Sequence, residues 1–196
     1  MTLNILPNLR RKFEKVRLVV FDVDGTLTDG GMYYGSDGEL MKRFSVKDGM
    51  GITLLRRAGI QTAFVTAESS SIALRRAEKL QVDYVVLSVH DKLQEVQRIA
   101  QKAGVTLDAI AYMGDDVNDI PAIEAVGVSA CPADAVTAVK ERVDYVTLAA
   151  AGYGAAREFC DLILVVQDRY PHLTVVEDTP IEADRFIKQE TDDGTG

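Results

Sequence analysis

Cysteine and histidine are scarce in this chain, with two of each among 196 residues. Cys131 and Cys160 lie far apart and form no CxxC pair, which argues against a disulfide framework and a cysteine zinc site. We therefore expect free thiols in a reducing cytoplasm. His90 and His172 are too few for a histidine-based metal site, so we expect both to be ordinary surface or loop residues.

Positive charge and long apolar runs are also lacking. The formal net charge is −8 at pH 7, and no stripe of basic residues interleaved with aromatics is present. This argues against nucleic acid and anionic membranes as partners, because phosphate groups along a backbone are bound by clustered lysine and arginine. Residues 1–16 lack the apolar core and the cleavage site of a signal peptide, and no run is long enough to span a membrane. We expect a cytoplasmic protein.

The size and composition of the chain predict one globular domain. With 196 residues, 47% of them hydrophobic, the chain can bury a single good core. We expect this domain to span residues 1–166, followed by an acidic C-terminal tail over residues 167–196.

Apolar segments alternate with helical patterns along the domain. Strands are predicted at 17–22, 61–66, 83–87, 109–113, 127–130 and 144–147, and helices at 48–58, 70–80, 91–103, 118–126, 134–141 and 153–166. Asp48 and Asp91 are predicted helix N-caps, and Gly59 and Gly104 are predicted helix ends. The alternation predicts the α/β class: a Rossmann-like parallel sheet with helices on both faces, whose strands all end at one edge.

Two aspartates two residues apart are the most informative feature of the chain. Asp22 and Asp24 follow the apolar segment 18–21 and flank the start of a turn at Gly25. Because side chains alternate along a strand, both carboxylates should point the same way at its end. Such a pair suits a nucleophile beside a general acid and base, with a hard cation between them. The alternative is a pair of loop aspartates that stabilise a turn.

Three later residues fall at the same edge of the predicted sheet. Thr66, Lys92 and Asp115 each lie at or just past the end of a predicted strand. Ligands of open α/β sheets bind outside the carboxyl ends of the strands, so we expect one site that contains all of them. Taken alone, Thr66 would also fit an ordinary cap and Lys92 a solvated helix residue.

The motifs DVDGT and GDDVND resemble motifs of the haloacid dehalogenase (HAD) superfamily of phosphohydrolases, and the resemblance covers roughly residues 15–165. It implies that Asp22 attacks phosphorus and forms an aspartyl-phosphate. Asp24 would protonate the leaving oxygen and then deprotonate the hydrolytic water. The resemblance also implies Mg²⁺ as the cofactor, bound by Asp22, by the backbone carbonyl of Asp24 and by Asp115.

The remaining motif residues receive supporting roles from the same resemblance. Thr66 would donate hydrogen bonds to the phosphoryl oxygens, and Lys92 would neutralise the charge that develops on the transferred group. Asp116 and Asp119 would lie behind the metal ligands and orient them and Lys92, while Asn118 would organise the loop. The alternative for these acids is a helix N-terminus that simply carries acidic residues.

Within the superfamily, the chain resembles the small cap-less group that contains the 3-deoxy-manno-octulosonate (KDO) 8-phosphate phosphatases. The resemblance lies in the segments FDVDGTLTDG, FSVKDGMGI, AEKLQVDYV and AGYGAAREF. It implies the HAD fold with a small hairpin flap and no large cap domain. It also implies a phosphorylated sugar acid as substrate and a homotetramer in which hairpins pack together and C-terminal segments approach a neighbour's site.

The residues after Thr66 favour a related substrate. Many relatives have Gly-Arg there, whereas this chain has Ala67 and Glu68. Phosphatases of the same group that act on 2-keto-3-deoxynononate (KDN) 9-phosphate have Glu at the second position, with an Arg and a Lys on the next helix that Arg76 and Lys79 match. We therefore predict a KDN or sialic-acid-type 9-phosphate, bound by Thr66, Glu68, Arg76 and Lys79, with KDO 8-phosphate of lipopolysaccharide biosynthesis as the alternative. Arg76 and Lys79 also fit a solvated, mixed-charge helix face.

One segment interrupts the alternation of strands and helices. Between residues 28 and 46, two short runs flank the turn sequence GSDG, which predicts a β-hairpin flap. A hairpin alone shields little of an active site from water, so we expect neighbouring subunits of a homotetramer to complete the enclosure. A non-catalytic HAD-like oligomerisation module is the rival function, although such a module need not keep a nucleophile, an acid/base, a lysine and metal acids together.

Overall fold

The computed structural model describes residues 7–170, and a six-stranded parallel sheet forms its centre. The sheet strands are β1 (Leu18–Phe21), β4 (Gln61–Val65), β5 (Tyr84–Val86), β6 (Ile110–Met113), β7 (Val128–Cys131) and β8 (Tyr145–Val146), while β2 (Tyr33–Gly35) and β3 (Gly38–Met41) form a separate hairpin. Their order across the sheet is β5-β4-β1-β6-β7-β8. Each predicted strand lies within one residue of its observed bounds, and the predicted α/β class is confirmed.

Helices cover both faces of this sheet. They are α1 (Pro7–Glu14), α2 (Val46–Arg57), α3 (Ser71–Leu80), α4 (Lys92–Ala103), α5 (Ile120–Ala125), α6 (Thr137–Lys140) and α7 (Ala155–Val166). The sequence pattern did not predict α1, a short charged helix that buries only Phe13. The helix predicted at 118–126 begins as a 3₁₀ turn, Val117–Asp119, and continues as α5. In residues 7–170, no helix has the length and apolar character needed to cross a bilayer.

The central strand β1 shows how the two faces are built. Its four side chains are all buried, as expected for a parallel strand covered by helices on both sides. Val19 and Phe21 pack into a cluster with residues of α1, α2, α3 and α7. Leu18 and Val20 pack into the opposite cluster with residues of α4, α5 and α6. Each such side chain contributes roughly 1.5–3 kcal/mol by leaving water, so β1 is a fixed base for the residues that follow it.

Side-chain caps fix the start of the helices that border the site. The side chain of Ser45 caps α2, that of Ser70 caps α3, and that of Asp91 caps α4 as predicted. Each cap is worth about 1 kcal/mol because it satisfies a backbone N–H that has no partner within the helix. Gly104 ends α4 in the left-handed conformation, φ 67°, which glycine adopts without strain.

The prediction that Asp48 caps α2 is wrong, because Ser45 occupies that position. Asp48 is buried, and its Oδ1 accepts a hydrogen bond from the backbone N–H of Arg157 at 2.8 Å. Burial raises the pKa of Asp48 above its usual value, although hydrogen bonds such as the one from Arg157 act to lower it. Asp48 therefore joins α2 to the start of α7.

The predicted flap is present as the hairpin β2–β3. The strands pair in antiparallel fashion around the two-residue turn Ser36–Asp37, and a bridge between Thr28 and Phe44 closes the base. Most of its apolar side chains are exposed, in contrast to those of the central sheet. Within residues 7–170, the hairpin therefore has no core of its own.

The end of the described chain packs on the domain. The side-chain amide of Gln167 donates to two backbone carbonyls at the end of α1, at 3.0 and 2.9 Å. The guanidinium of Arg169 donates to the carbonyl that follows α2, at 2.7 Å. These contacts hold the residues just after the predicted boundary at residue 166 against α1 and α2. The rest of the predicted acidic tail, residues 171–196, lies outside the described residues.

The two cysteines and one of the two histidines can be placed. Cys131 and Cys160 are free and buried, as the sequence predicts. His90 is exposed beyond β5, and His172 lies outside the described residues. Burial raises the pKa of the Cys131 thiol to about 11, so this thiol is protonated at neutral pH.

Candidate active site

The carboxyl ends of the three central strands lie side by side, and a predicted site residue follows each. Asp22 follows β1, Thr66 follows β4, and Asp115 lies two residues beyond β6. Lys92, the first residue of α4, reaches the same edge with its long side chain. The parallel topology thus brings together residues that are far apart in the sequence.

The ammonium group of Lys92 bridges two carboxylates at the base of this site. Its Nζ lies 2.7 Å from Oδ1 of Asp22 and 2.6 Å from Oδ1 of Asp119, and all three side chains are buried. Burial disfavours the charged lysine, but the two carboxylates outweigh it and raise the pKa of Lys92. Burial and the nearby charge of Asp119 raise the pKa of Asp22, while Lys92 opposes this. Lys92 therefore favours the anionic form of Asp22, but it does not fully offset the effect of burial on the pKa of this carboxyl group.

The carboxylate of Asp119 accepts hydrogen bonds from several neighbouring groups. Its Oδ1 accepts from Lys92 and from the hydroxyl of Tyr112 at 2.6 Å, and its Oδ2 accepts from two backbone N–H groups of the preceding loop at 3.1 and 3.2 Å. A Cβ at Gly114 would collide with this carboxylate. Both oxygens are engaged, so Asp119 orients Lys92 and the loop, as the sequence analysis expects.

Asp115 and Asp22 form an acidic pair that fits a divalent cation. Oxygens of Asp22, Asp115 and Asp119 lie within 4.8 Å of one another, and Asp115 accepts a hydrogen bond from Thr26 at 3.0 Å. A Cβ at Gly25 would collide with the Asp115 carboxylate, so glycine permits this close approach. Burial and the charge of Asp119 raise the pKa of Asp115 to about 6. A divalent cation would reverse that shift, and oxygen ligands are those that Mg²⁺ prefers.

The carboxylate of Asp24 is held from two sides. Its Oδ1 lies 2.6 Å from Nζ of Lys42 in the hairpin segment, and its Oδ2 accepts a long hydrogen bond, 3.4 Å, from the hydroxyl of Thr66. The same hydroxyl oxygen accepts from the backbone N–H of Glu68 at 3.2 Å. Asp24 thus lies beside the threonine that is predicted to bind the phosphoryl group, where an acid and base for the leaving oxygen would act.

Asp116 and Asn118 lie at the outer side of the loop, where both are exposed. Asp116 is the N-cap of the 3₁₀ turn, and its Oδ1 accepts from the backbone N–H of Val117 at 2.6 Å. The contacts of Asp116 therefore stabilise the loop. Among residues 7–170, the acidic side chains that contact Lys92 are those of Asp22 and Asp119, which differs from the expectation that Asp116 orients this lysine.

The three residues predicted to set substrate specificity occupy different environments. Glu68 is exposed beside Thr66, and Lys79 is exposed on α3. Arg76 is half-buried, donates to the backbone carbonyl of Ser45 at 3.0 Å and lies 5.6 Å from the ring centroid of Phe44. Of the three, the structure brings Glu68 to the catalytic cluster, whereas the guanidinium of Arg76 is directed at the start of α2.

Sequence reasoning missed three residues of this site. Lys42 and Glu39 lie in the hairpin, which the sequence identifies only as a flap, yet the side chain of Lys42 is buried against Asp24. Tyr112 lies within the apolar strand β6, where a buried hydroxyl needs a partner, and that requirement is the only signal in the sequence. The two charged hairpin residues have no comparable signal, because their contacts depend on how the hairpin folds back.

Sequence comparisons show which known proteins this chain resembles. A model of the haloacid dehalogenase-like hydrolases matches residues 87–159. The chain is 40% identical over 161 residues to the 3-deoxy-D-manno-octulosonate 8-phosphate phosphatase of Haemophilus influenzae. The aligned segment covers 82% of this chain and 89% of that protein. It is 37% identical over 165 residues to the enzyme of the same name from Salmonella typhimurium, which covers 84% of this chain and 88% of that protein.

Solved structures show the same relationship. The 3-deoxy-D-manno-octulosonate 8-phosphate phosphatase of Moraxella catarrhalis, in complex with magnesium, phosphate and KDO, matches with a TM-score of 0.83 at 33% identity and covers 86% of this chain and 97% of that chain. The cobalt-bound enzyme of Haemophilus influenzae matches with a TM-score of 0.79 at 41% identity, over 80% and 92% of the two chains. The chain is therefore a Mg²⁺-dependent phosphoric monoester hydrolase of the haloacid dehalogenase superfamily, and it belongs to the cap-less family that includes the KDO 8-phosphate phosphatases.

Proposed function

We propose that this phosphatase hydrolyses KDO 8-phosphate, an eight-carbon sugar-acid phosphate, through an aspartyl-phosphate formed on Asp22. The observation that carries the reaction is the buried contact between Asp22 and Lys92, with Asp115 and Asp24 beside it. A carboxylate in this setting is oriented and shielded from water, and a bound divalent cation would favour its anionic, nucleophilic form.

The chain's own residues divide the reaction between them. Asp22 attacks phosphorus, and Lys92 supplies positive charge for the transferred group. The hydroxyl of Thr66 donates a long hydrogen bond to Asp24 in the structure and accepts from the N–H of Glu68. With substrate bound, its proton would turn to a phosphoryl oxygen. Asp24 gives a proton to the leaving oxygen and later removes one from the water that attacks the aspartyl-phosphate.

Asp22, the backbone carbonyl of Asp24 and Asp115 would hold the metal ion. Mg²⁺ there would supply positive charge for the phosphoryl group and would screen the repulsion between the carboxylates. Asp115 is pre-oriented for this by the hydroxyl of Thr26, at 3.0 Å. Asp119 keeps Lys92 and the backbone of the loop in place behind the ligands.

Similarity over most of the chain supports the eight-carbon substrate. Relatives at 37–40% identity are named for KDO 8-phosphate, which favours the alternative over the predicted nine-carbon substrate. The guanidinium of Arg76 is directed at the carbonyl of Ser45, so the structure does not place it as a substrate contact beside Thr66. Glu68, exposed next to Thr66, is the feature that keeps KDN 9-phosphate as the second candidate.

A substrate panel tests this proposal. The values of kcat/KM are compared for KDO 8-phosphate, KDN 9-phosphate and glucose 6-phosphate, which has no carboxylate, with EDTA-treated enzyme as the metal control. We expect a preference of at least about tenfold for the eight-carbon acid, the scale of one charged hydrogen bond. A preference for KDN 9-phosphate would overturn the substrate assignment and would favour Glu68 as the residue that selects the substrate.

The exposed hairpin supports an oligomer as the functional unit. Tyr34 and Leu40 are each 62% exposed and Met41 is 56% exposed, although a short hairpin cannot bury them by itself. Because the family lacks a large cap domain, another part of the protein or a neighbouring subunit has to cover the site. A homotetramer in which hairpins pack together would bury these side chains and enclose the substrate.

A further inference from the structure

The hairpin sends one charged side chain into the active site, that of Lys42. Its Nζ lies 2.6 Å from Oδ1 of Asp24, and its side chain is only 1% exposed although the neighbouring residues of β3 are largely in water. Burying an ammonium group is strongly unfavourable unless it is paired and hydrogen-bonded. A lysine that served only the surface of the hairpin would keep this group in solvent.

A second carboxylate fixes the other side of Lys42. Its Nζ lies 2.5 Å from Oε1 of Glu39, whose Oε2 accepts from the hydroxyl of Ser70 at 2.6 Å. Ser70 is also the N-cap of α3, so this contact ties the hairpin to a rigid helix start. Burial alone would lower the pKa of Lys42, but its hydrogen bonds to Asp24 and Glu39 raise it. The result is a continuous series of charged and polar contacts from α3 to Asp24.

We propose that Lys42 is a positioning residue of the phosphatase reaction, which holds Oδ1 of Asp24 so that Oδ2, beside Thr66, faces the leaving oxygen. The inference rests on the proposed role of Asp24 as general acid and base. A short carboxylate can rotate, and proton transfer requires a distance of roughly 2.6–3.2 Å. Fixing one oxygen therefore selects which oxygen carries the proton, and a misplacement of about 1 Å costs on the order of 100-fold in rate.

Two classes of ester distinguish positioning of an acid from general damage. Glycerol 1-phosphate releases an alkoxide, which needs a proton from Asp24, whereas 4-nitrophenyl phosphate releases a stable anion that needs none. The ratio kcat/KM reports the step in which the leaving group departs and is independent of the later hydrolysis of the aspartyl-phosphate. Lys42→Met removes the ammonium group and keeps the length of the side chain. We expect kcat/KM to fall about 100-fold for the alkyl ester and less than about threefold for the aryl ester.

Three further variants control this comparison. Lys42→Arg restores a cation at the same place and should recover most of the alkyl-ester activity. Lys102→Met makes the same substitution at an exposed lysine of α4 and should change neither ester. Asp24→Asn should show the same selective loss as Lys42→Met, since it removes the acid itself. If Lys42→Met fails to fold, Glu39→Gln weakens the hold on Lys42 and should give the same selectivity with a smaller loss.

The possible results test the role of Lys42 separately from the role of Asp24. Equal losses on both esters would overturn it, because Lys42 would then support the fold rather than Asp24. A loss confined to the sugar-acid phosphate, with glycerol 1-phosphate unchanged, would make Lys42 a ligand of the sugar and would also overturn it. An Asp24→Asn variant without selectivity between esters would instead refute the role proposed for Asp24.

Discussion

Asp22 owes its reactivity to its neighbours more than to its own chemistry. Burial and the charge of Asp119 raise its pKa even with Lys92 at 2.7 Å, and a protonated carboxyl is no nucleophile. A divalent cation held between Asp22 and Asp115 would supply the further positive charge that favours the anionic form. The nucleophile, the lysine and the metal site thus depend on one another.

The first prediction follows from that dependence. Asp22→Asn keeps the shape of the side chain and an oxygen that can accept from Lys92, but removes the anionic nucleophile. We expect turnover to fall by about 10⁴-fold or more, as for the loss of other enzymic nucleophiles, while the melting temperature stays close to that of the parent. Phosphate release and circular dichroism of the purified variant measure both quantities. Near-normal turnover would rule out the aspartyl-phosphate route.

Two neighbouring aspartates allow a matched test of the metal site. Asp115→Ala removes a proposed ligand, so the Mg²⁺ concentration for half-maximal activity should rise by about tenfold or more. Asp116→Ala is the control, because Asp116 is exposed and contacts the backbone of its own loop. We expect that variant to lose about 1 kcal/mol of stability and to keep the parental Mg²⁺ titration. An unchanged titration in Asp115→Ala would remove this residue from the metal site.

Residues at strand ends could be predicted from the sequence, and residues that reach the site across space could not. Asp22, Thr66 and Asp115 follow apolar runs whose parallel arrangement fixes where their side chains meet. Lys42 reaches the same place from a hairpin that folds back over the strand end. No local pattern encodes such a contact, since it depends on packing between segments that are separate in the sequence.

At the scale of elements, strands were predicted more closely than helices. The apolar runs of the central sheet are short, continuous and bounded by glycine or polar residues, which leaves little freedom in their limits. The start of a helix depends on which polar side chain accepts from its first free N–H groups. At α2 this side chain is that of Ser45 and not that of Asp48. α1 was missed because its 8 residues bury one side chain and show no long apolar stripe.

The contact between α2 and α3 gives the third prediction. Arg76 donates to the carbonyl of Ser45 and provides a positive charge near the buried Asp48, whose Oδ2 has no hydrogen-bond partner within residues 7–170. We expect Arg76→Ala to lower the free energy of unfolding by about 1–3 kcal/mol, the range for hydrogen bonds that involve a charged group. Thermal or urea unfolding measures the change.

The adjacent arginine serves as its control. Arg75 is exposed and forms a surface ion pair with Glu78 at 3.7 Å, so Arg75→Ala should change stability by less than about 1 kcal/mol. If Arg76 instead binds the substrate, as the sequence predicts, then Arg76→Ala should lower kcat/KM roughly tenfold for the sugar-acid phosphate alone. Unchanged stability together with such a selective loss would contradict the structural role and support a substrate contact made across a subunit interface.

At the scale of the whole molecule, residues 7–170 leave the apolar side chains of the hairpin uncovered. The sheet and helices bury a large core, yet five large apolar side chains in and beside the hairpin are exposed: Met32, Tyr33, Tyr34, Leu40 and Met41. The sequence predicted the hairpin and its apolar character, but it does not say which surface would cover these side chains. An exposed group of apolar side chains is typical of an interface, which leads to the final prediction.

Placing charge on the hairpin should separate the subunits. Tyr34→Glu combined with Leu40→Glu puts two carboxylates where apolar contacts are expected, and burying an unpaired charge is strongly unfavourable. We expect light scattering to show a tetramer for the parent and smaller species for the double variant, with a fall in kcat/KM because the site then opens to water. Leu148→Glu is the control, since Leu148 is 91% exposed but lies outside the hairpin. It should leave both assembly and activity unchanged. A parent chain that is monomeric and fully active at assay concentration would refute the proposed assembly, and a dissociated variant with full activity would show that the hairpin joins subunits without enclosing the substrate.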